Sequence, residues 1–212
     1  MEMKDYLNGT SDTVNHLHNR IKFEISKFSD IDSNLAAFDA AESYIRHGHV
    51  AGKETYEREF SSYTADEIAY WKQSLIDSFT GSQVAIDTMS ASILMIAQNG
   101  IKLVFGSPRT WDAHKGVELS SKGECLFQTI WHGRNLAAHV EGLNTSGLSY
   151  QHFQDVELRK NIDLLSNSAN YQSRYIVREL LGWIESEYDP RVHEINGQSA
   201  FHQDMLRIGT LA

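Results

Sequence analysis

Thr64-Ala65-Asp66-Glu67 begins the longest helix-like stretch of the chain, TADEIAYWKQSLIDSFTGSQVAIDTMSASILMIAQNG, which covers residues 64–100. A threonine followed three residues later by a glutamate is a capping-box pattern, in which each side chain bonds the backbone N–H of the other residue at the start of a helix. Apolar residues then recur at helical spacing, at Trp71, Leu75, Phe79, Ile86, Met89, Ile93 and Ile96. The stretch predicts one long helix, with Gly81 as a candidate bend and Asn99-Gly100 as its end or a kink.

Helical spacing also dominates the sequence on both sides of this stretch. It predicts one helix over about Ser11 to Lys27 and another over Leu35 to Ile45, which ends before Gly48 as a C-cap. After a loop over 106–121, further helices are predicted over roughly 123–142, 153–165, 175–187 and 200–208. With 2 prolines among 212 residues, the chain favours helices over a many-stranded fold. We expect an all-α bundle of about six or seven helices, formed by a single domain over residues 1–212. Within it, the helices of residues 1–50 are not firmly assigned to the core.

The charge and the cysteine content bound the functions that the chain can serve. A formal net charge of -9 gives no global electrostatic attraction for nucleic acid, so a nucleic-acid role needs a local basic patch or a paired surface. Cys125 is the only cysteine, which excludes an intrachain disulfide and is typical of a reducing cytosol.

The apolar stretches predict no membrane association. Met1–Asp5 is polar and is not followed by a signal-peptide pattern. The most apolar run, Ile93–Phe105, is interrupted by Gln98, Asn99, Gly100 and Lys102, and is too short to span a bilayer. We therefore expect a soluble, cytoplasmic protein.

The most specific chemistry lies in Trp131-His132-Gly133-Arg134-Asn135-Leu136-Ala137-Ala138-His139-Val140. On an ideal helix of about 100° per residue, the core face is formed by Leu126, Ile130, Gly133, Ala137 and Val140. Asn135 and His139 are four residues apart, so the amide can orient the imidazole. Arg134 lies about 140° around the helix from His139. A long arginine side chain, a distorted turn near Gly133 or a second copy of the helix has to bring the two groups together.

An arginine, a polar residue, three further residues and a histidine resemble the R-x4–6-H motif of the HEPN superfamily (higher eukaryotes and prokaryotes nucleotide-binding domains). The asparagine directly after the arginine looks like the form common in HEPN ribonucleases. The resemblance covers six residues in the motif, and the all-α architecture of about residues 64–188 is also similar to HEPN domains. It implies a homodimer in which two motifs face one shared cleft, and an endoribonuclease that needs no metal and no cofactor.

The resemblance also implies the role of each motif residue. His139 would assist deprotonation of a ribose 2′-OH, which attacks the adjacent phosphate and leaves a 2′,3′-cyclic phosphate and a 5′-OH. Arg134 would stabilise the phosphate charge, and Asn135 would support both groups. Such proteins act as toxins or in defence against phages and plasmids, so an antitoxin or regulator is a further expected partner. Some members of the superfamily bind nucleotide, RNA or a partner protein without cutting.

Several interpretations of these residues stay open at the level of sequence. His132 lies within about 20° of His139 on an ideal helix and is either a substrate contact or a surface residue. Arg134 can instead pair with Glu141, and His139 can be a half-buried structural histidine. The motif itself can be accidental, in a helical interaction protein.

The sequence also allows more than one interpretation of other polar residues. Asp77, Gln83 and Asp87 are candidates to support the motif from the long helix. The loop Arg109–Lys115 can contact RNA or can plug the bundle with Trp111. His47 and His49 end a helix and lack an evident third metal ligand, so that a solvated helix end is favoured over a metal site.

Overall fold

The described part of the chain is almost entirely helical. This computed structural model describes residues 1–106, 126–138 and 199–210; about 91% of them are helical and none forms a strand. The α-helices are α1 (Met3–His47), α2 (Lys53–Thr55), α3 (Ala65–Phe105), α4 (Leu126–Ala138) and α5 (Ala200–Gly209). A 3-10 turn, Val50–Gly52, precedes α2, and a π-helical turn, Tyr56–Phe60, follows it. The all-α prediction is confirmed for these residues.

The predicted capping box forms at the start of α3. The backbone N–H of Thr64 donates to Glu67 Oε2 at 2.8 Å, and the backbone N–H of Glu67 donates to Thr64 Oγ1 at 3.3 Å. The bonds from Thr64 lower the pKa of the Glu67 carboxyl. Two backbone donors that a helix start leaves without partners are thus satisfied locally, which is why α3 begins at Ala65.

The N-terminal region is one helix, so the predicted break between Lys27 and Leu35 is wrong. The polar residues between the two predicted segments include neither glycine nor proline, and α1 continues through them. Packing explains the continuity. Phe28 lies against Phe79 with ring centroids 4.7 Å apart, and Ile31 is buried. These contacts hold a segment of weak apolar periodicity in the helical conformation.

The two long helices both end at a glycine in the left-handed region. Gly48 has φ 68° and Gly106 has φ 73°. Gly48 donates its N–H to the carbonyl of Tyr44, and Gly106 donates to Lys102, each at 2.8 Å. A residue with a Cβ is strained at such φ values, so glycine makes this helix stop favourable. The predicted C-cap at Gly48 is confirmed. Of the two alternatives predicted for Asn99-Gly100, an end of the helix is wrong because α3 continues to Phe105, and a kink stays a prediction.

Gly100 has a packing role inside α3. A Cβ built on this residue would lie 3.0 Å from Met205 Cε, 3.1 Å from Met3 Sδ and 3.1 Å from Tyr6 Cε1. The missing side chain therefore lets α1 and α5 approach α3 closely. Tyr6 uses the same approach to donate its hydroxyl to the carbonyl of Ile96 at 2.8 Å, and burial raises the pKa of that hydroxyl.

The chain divides into two compact units. One consists of Met1–Ile21 and Asp87–Ala212, and the other of Lys22–Ile86. In the first unit, the side chains that are almost completely removed from solvent include Leu7, Ile21, Ile93, Ile101, Ile130, Met205 and Ile208. Burying each such side chain contributes about 1.5–3 kcal/mol. These side chains come from α1, α3, α4 and α5, so the motif helix α4 is part of this core.

The second unit has a smaller core and an ion-pair cluster. Ala41, Phe60 and Ile68 are buried, and Ala37, Phe38, Ile45 and Tyr56 pack against them. Lys72 Nζ of α3 lies 2.6 Å from Asp39 Oδ1 and 2.8 Å from Glu42 Oε2 of α1. The bond from Lys72 lowers the pKa of the Glu42 carboxyl, and the two carboxylates raise the pKa of Lys72.

Among the described helices, α3 is long and apolar enough to cross a membrane by length and composition. Half of its most apolar window is buried inside the protein, and the core helix of a soluble protein meets the same criterion. The cytoplasmic, membrane-free location therefore stays a prediction.

Replacing glycine by alanine should change the stability of the protein in opposite directions at two positions. At Gly209 a Cβ would lie 2.6 Å from Met3 Cβ, which cannot swing away, so Gly209→Ala should destabilise the protein by about 1–3 kcal/mol. At Gly81, inside α3, a Cβ meets nothing within 4 Å, so Gly81→Ala should stabilise by about 0.5–1 kcal/mol. Urea unfolding measures both. If Gly81→Ala lowered the stability, the conclusion that a Cβ fits at this position would be contradicted.

The Lys72 cluster should stabilise the protein in a defined pH window. Stability from the lowered pKa of Glu42 is present at neutral pH and is lost as the pH falls through that pKa; stability from the raised pKa of Lys72 is lost only at high pH. Lys72→Met should therefore cost about 1 kcal/mol at pH 7, and the difference from wild type should shrink below about pH 4. Thermal unfolding across pH measures this. Lys53→Met is the control, because the exposed Lys53–Glu57 pair is 3.6 Å apart and should contribute almost nothing.

Candidate functional site

The motif residues that the structure describes lie on α4, inside the first unit. Ile130 is fully buried and Gly133 is buried, which confirms these two positions of the predicted core face. Phe127 is also buried, at 3% exposure, and its ring meets Phe105 edge-on with centroids 5.5 Å apart. The predicted face did not include Phe127 because it was centred near Leu126, whereas the buried positions Phe127, Ile130 and Gly133 are centred on Ile130, about 40° further around the helix. The side chains of Leu126 and Ala137, and Val140 as a whole, lie outside the described residues.

Arg134 is half-buried and bonded to its neighbour in the sequence. Its Nη1 donates to the side-chain oxygen of Asn135 at 3.1 Å. Its Nε is buried and has no hydrogen-bond partner within the described residues. A buried N–H without an acceptor costs about 1–3 kcal/mol, and more when the group is charged. The guanidinium is thus held in place with donor capacity left over, a state that an anionic ligand would stabilise.

Asn135 holds the guanidinium through its amide oxygen. The sequence predicted that this amide orients the imidazole of His139 or contacts a phosphate. The observed bond engages the oxygen, so the amide NH2 is the group that can serve either purpose. His139 lies outside the described residues, so its orientation by Asn135 and the angle between Arg134 and His139 stay predictions.

His132 is half-buried, on the same helix as Arg134. The sequence left a choice between a substrate contact and a surface residue. Half-burial places the ring at the boundary between the protein interior and solvent. From there a side chain can reach a ligand only if the ligand approaches α4 on that side.

One of the three candidate support residues from the long helix shares a unit with the motif. Asp77 is exposed and accepts a hydrogen bond from Gln73 Nε2 at 2.9 Å, and Gln83 is half-buried. Both belong to the second unit, whereas Asp87, 8% exposed, belongs to the first. Asp87 is therefore the candidate for a buried acid in the same unit as α4.

Sequence reasoning missed two buried polar residues of α5. Gln203 and Asp204 are each 3% exposed. A signal was present, because Asp204 comes three residues after Phe201 and four before Ile208, which puts a carboxylate on the apolar face of the helix. The predicted existence of this last helix is confirmed, and Ser199 caps it by accepting a hydrogen bond from the backbone N–H of His202 at 3.3 Å. Burial lowers the pKa of the His202 imidazole.

Within residues 1–106, 126–138 and 199–210, no group of three or more His, Cys, Asp or Glu side chains is arranged to hold a metal ion. The rings of His47 and His49 meet edge-on with centroids 6.0 Å apart. The alternative ion-pair partner Glu141, the loop Arg109–Lys115 and Cys125 lie outside the described residues.

Comparison with known proteins returned no relative. No family model matches the chain, and neither the curated proteins nor the solved structures gave a match. The support for a function therefore comes from the motif and from the surroundings of Arg134.

The Arg134–Asn135 bond should be measurable as stability. Asn135→Ala removes the acceptor and leaves the half-buried guanidinium less satisfied, so the free energy of unfolding should fall by about 1.5–3 kcal/mol. Asn135→Asp keeps an acceptor and adds a charge, and should retain most of the stability. Denaturant unfolding measures both, with Asn99→Ala as an exposed control. Equal losses for the alanine and aspartate variants would contradict a role for this bond.

Proposed function

We propose that this protein is a metal-independent endoribonuclease of HEPN type that works as a homodimer in the cytoplasm. The supporting observation is the state of Arg134. It is a half-buried cation held by Asn135, with a buried Nε that has no acceptor in the described part of the chain. A preorganised guanidinium of this kind suits a group on which negative charge develops during reaction, such as a phosphodiester.

The proposed reaction needs one proton acceptor and one anion-stabilising group. His139 takes the proton of a ribose 2′-OH, and the 2′ oxygen forms a bond to the neighbouring phosphorus. The bond from phosphorus to the 5′ oxygen of the next nucleotide breaks, and that oxygen takes up a proton from solvent and leaves as a hydroxyl. Arg134 stabilises the charge on the phosphoryl oxygens, while Asn135 positions Arg134. His132 contacts the substrate in this proposal. The products carry a 2′,3′-cyclic phosphate and a 5′-OH.

Dimerisation addresses two difficulties of this proposal. The chain carries a net charge of -9, so an isolated protomer repels RNA overall. Two copies of Arg134 in one cleft create a local positive field. The cleft also combines the arginine of one copy with the histidine of the other, so the large angle between them on one helix no longer matters. In this proposal each protomer is a HEPN-type bundle of about six or seven helices, and two such bundles form the shared cleft.

The same observation supports a second candidate, a HEPN-like module without catalysis. A held guanidinium with spare donors binds a nucleotide, RNA phosphates or an acidic partner whether or not a proton acceptor is nearby. The biological setting of the first candidate is a toxin or a defence protein against phages or plasmids, restrained by an antitoxin or regulator.

Cleavage of RNA in EDTA separates the candidates. Purified wild-type protein should fragment RNA and leave 3′ ends that can be ligated only after the cyclic phosphate has been opened and the remaining phosphate removed. His139→Ala and Arg134→Ala should each lower the rate by about 100-fold or more, the size expected for loss of proton transfer or of an oxyanion donor. The matched controls are His16→Ala and Arg207→Ala, since both side chains are exposed. They should cut like wild type.

The pattern of losses across the variants separates the possible outcomes. Equal activity in all five proteins indicates a contaminating nuclease and contradicts the proposal. RNA binding that is lost in Arg134→Ala without any cleavage by wild type supports the non-catalytic module. Light scattering that finds only a monomer under cleavage conditions contradicts the shared cleft. Expression in a bacterial host, followed by growth and RNA integrity, tests the toxin setting with the same variants.

A further inference from the structure

A groove of about 600 Å³ lies within the unit formed by Lys22–Ile86. Its walls come from Asn34 and Phe38 of α1, from Glu59 and Phe60 of the π-helical turn, and from one side of α3 that includes Trp71. The volume is within the range of sites that bind small molecules or peptide side chains, about 300–1,000 Å³. No residue of the RNA-cleavage proposal lines it.

Four aromatic side chains, Phe38, Phe60, Tyr63 and Trp71, line the groove. Phe60 forms part of the buried base, with its ring centroid 4.9 Å from that of Phe38 and 6.4 Å from that of Tyr63. Tyr63 is 42% exposed and Trp71 is 51% exposed, so their rings are open to solvent. Tyr70 meets Trp71 edge-on at 5.4 Å, which steadies the indole. Exposed rings around one groove present electron-rich faces that attract cations.

The charge around the groove has the matching sign. Residues 54–67 contain five carboxylates (Glu54, Glu57, Glu59, Asp66 and Glu67) and one arginine, Arg58. Of these, Glu59 lines the groove itself. Glu54, Glu57 and Arg58 line a separate depression, so Glu59 is the charged side chain that the described lining offers to a ligand. Its carboxylate attracts a positively charged group.

The carboxylate of Glu59 already binds a cation of the protein itself. The guanidinium of Arg58 donates from Nε and Nη2 to Glu59 Oε1, at 3.1 Å and 2.6 Å. The Arg58 side chain is 65% exposed, and an exposed pair of this kind contributes little stability. A ligand cation can therefore displace Arg58 at small cost.

The backbone that carries Glu59 and Phe60 has an unusual helical conformation. Tyr56–Phe60 forms a π-helical turn, a conformation that is rare and occurs frequently at functional sites. Through it the consecutive residues Glu59 and Phe60 both line the groove, which puts a carboxylate beside an aromatic ring. Earlier in the same segment, a Cβ on Gly52 would clash with the backbone carbonyl of Ala40, so the 3-10 turn Val50–Gly52 is packed closely onto α1.

We propose that this groove binds a basic peptide segment of a partner protein. A lysine or arginine side chain of the peptide lies against the rings of Trp71 and Tyr63, with its charge directed to Glu59. Asn34, Ser74 and Ser78 line the groove with polar groups that can bond the peptide backbone. The occupant is cationic because the carboxylate of Glu59 and the exposed rings of Tyr63 and Trp71 line one groove. It is a peptide because the lining residues of α3, from Ile68 to Ser78, form an open groove that can hold an extended segment. This inference does not depend on RNA cleavage.

Isosteric probes test the charge requirement directly. The probes are a short fluorescent peptide with two arginines, the same peptide with both arginines replaced by neutral citrulline, and a labelled single-stranded oligouridylate. Fluorescence anisotropy with the full chain should show binding of the arginine peptide, at least tenfold weaker binding of the citrulline peptide, and loss of affinity with added salt. Millimolar peptide without binding, equal affinity for both peptides, or preference for the oligonucleotide would each overturn the proposal.

Variants of the lining locate the site. Trp71→Leu should weaken peptide binding roughly tenfold, as expected for removal of a partly desolvated cation–ring contact. Ser74→Trp should also abolish binding by filling the groove, and it keeps the test valid if Trp71→Leu unfolds. Phe23→Leu is the matched control, because Phe23 is an exposed aromatic that does not line the groove.

Two charge variants should act in opposite directions. Glu59→Gln should weaken binding several-fold, whereas Arg58→Ala removes the internal competitor and should tighten binding several-fold. Glu57→Gln, a neighbouring exposed carboxylate, should change affinity less than Glu59→Gln does. A general effect of net charge would make the two glutamine variants equal, and that result would overturn the assigned site.

Discussion

The close approach of three helices in the first unit is the constraint on which its packing depends. Met3 and Tyr6 of α1 and Met205 of α5 surround Gly100 of α3, and Met3 also lies against Gly209 at the end of α5. Glycine at both positions removes the side chain that would separate the helices. The hydroxyl of Tyr6 can then reach the carbonyl of Ile96. Side chains that fill the interior, such as Ile101 and Met205, become fully buried as a result.

The two proposed functions depend on opposite charges. The molecule is acidic overall, and the segment beside the groove of the second unit is strongly so. That surface fits a cationic partner. Arg134 is the opposite case, because its guanidinium is half-buried and donates to a neutral amide instead of a carboxylate. An acidic protein can present such a cation to a phosphate when water is largely excluded from it, since the interaction strengthens as the local dielectric constant falls.

The sequence predicts those features whose cause is local. The capping box at Thr64, the stop at Gly48 and the existence of the last helix each depend on a few neighbouring residues, and all are confirmed. Features that depend on contacts between residues far apart in the sequence could not be predicted. α1 continues past Lys27 because of packing from α3, and α3 continues past Gly100 because that glycine serves helix packing.

The same distinction applies to the candidate site. Spacing placed Ile130 and Gly133 on the core face correctly. It could not show that the Asn135 oxygen bonds Arg134, because the choice between two neighbours depends on side-chain rotamers. The left-handed stops at Gly48 and Gly106 have a consequence for the order of folding. Each requires only contacts within one turn, so it carries little loop-closure entropy and can form on the microsecond timescale of helix growth. The backbone direction at each stop is thus set by a few neighbouring residues, whereas long-range packing is needed to carry each helix as far as its stop.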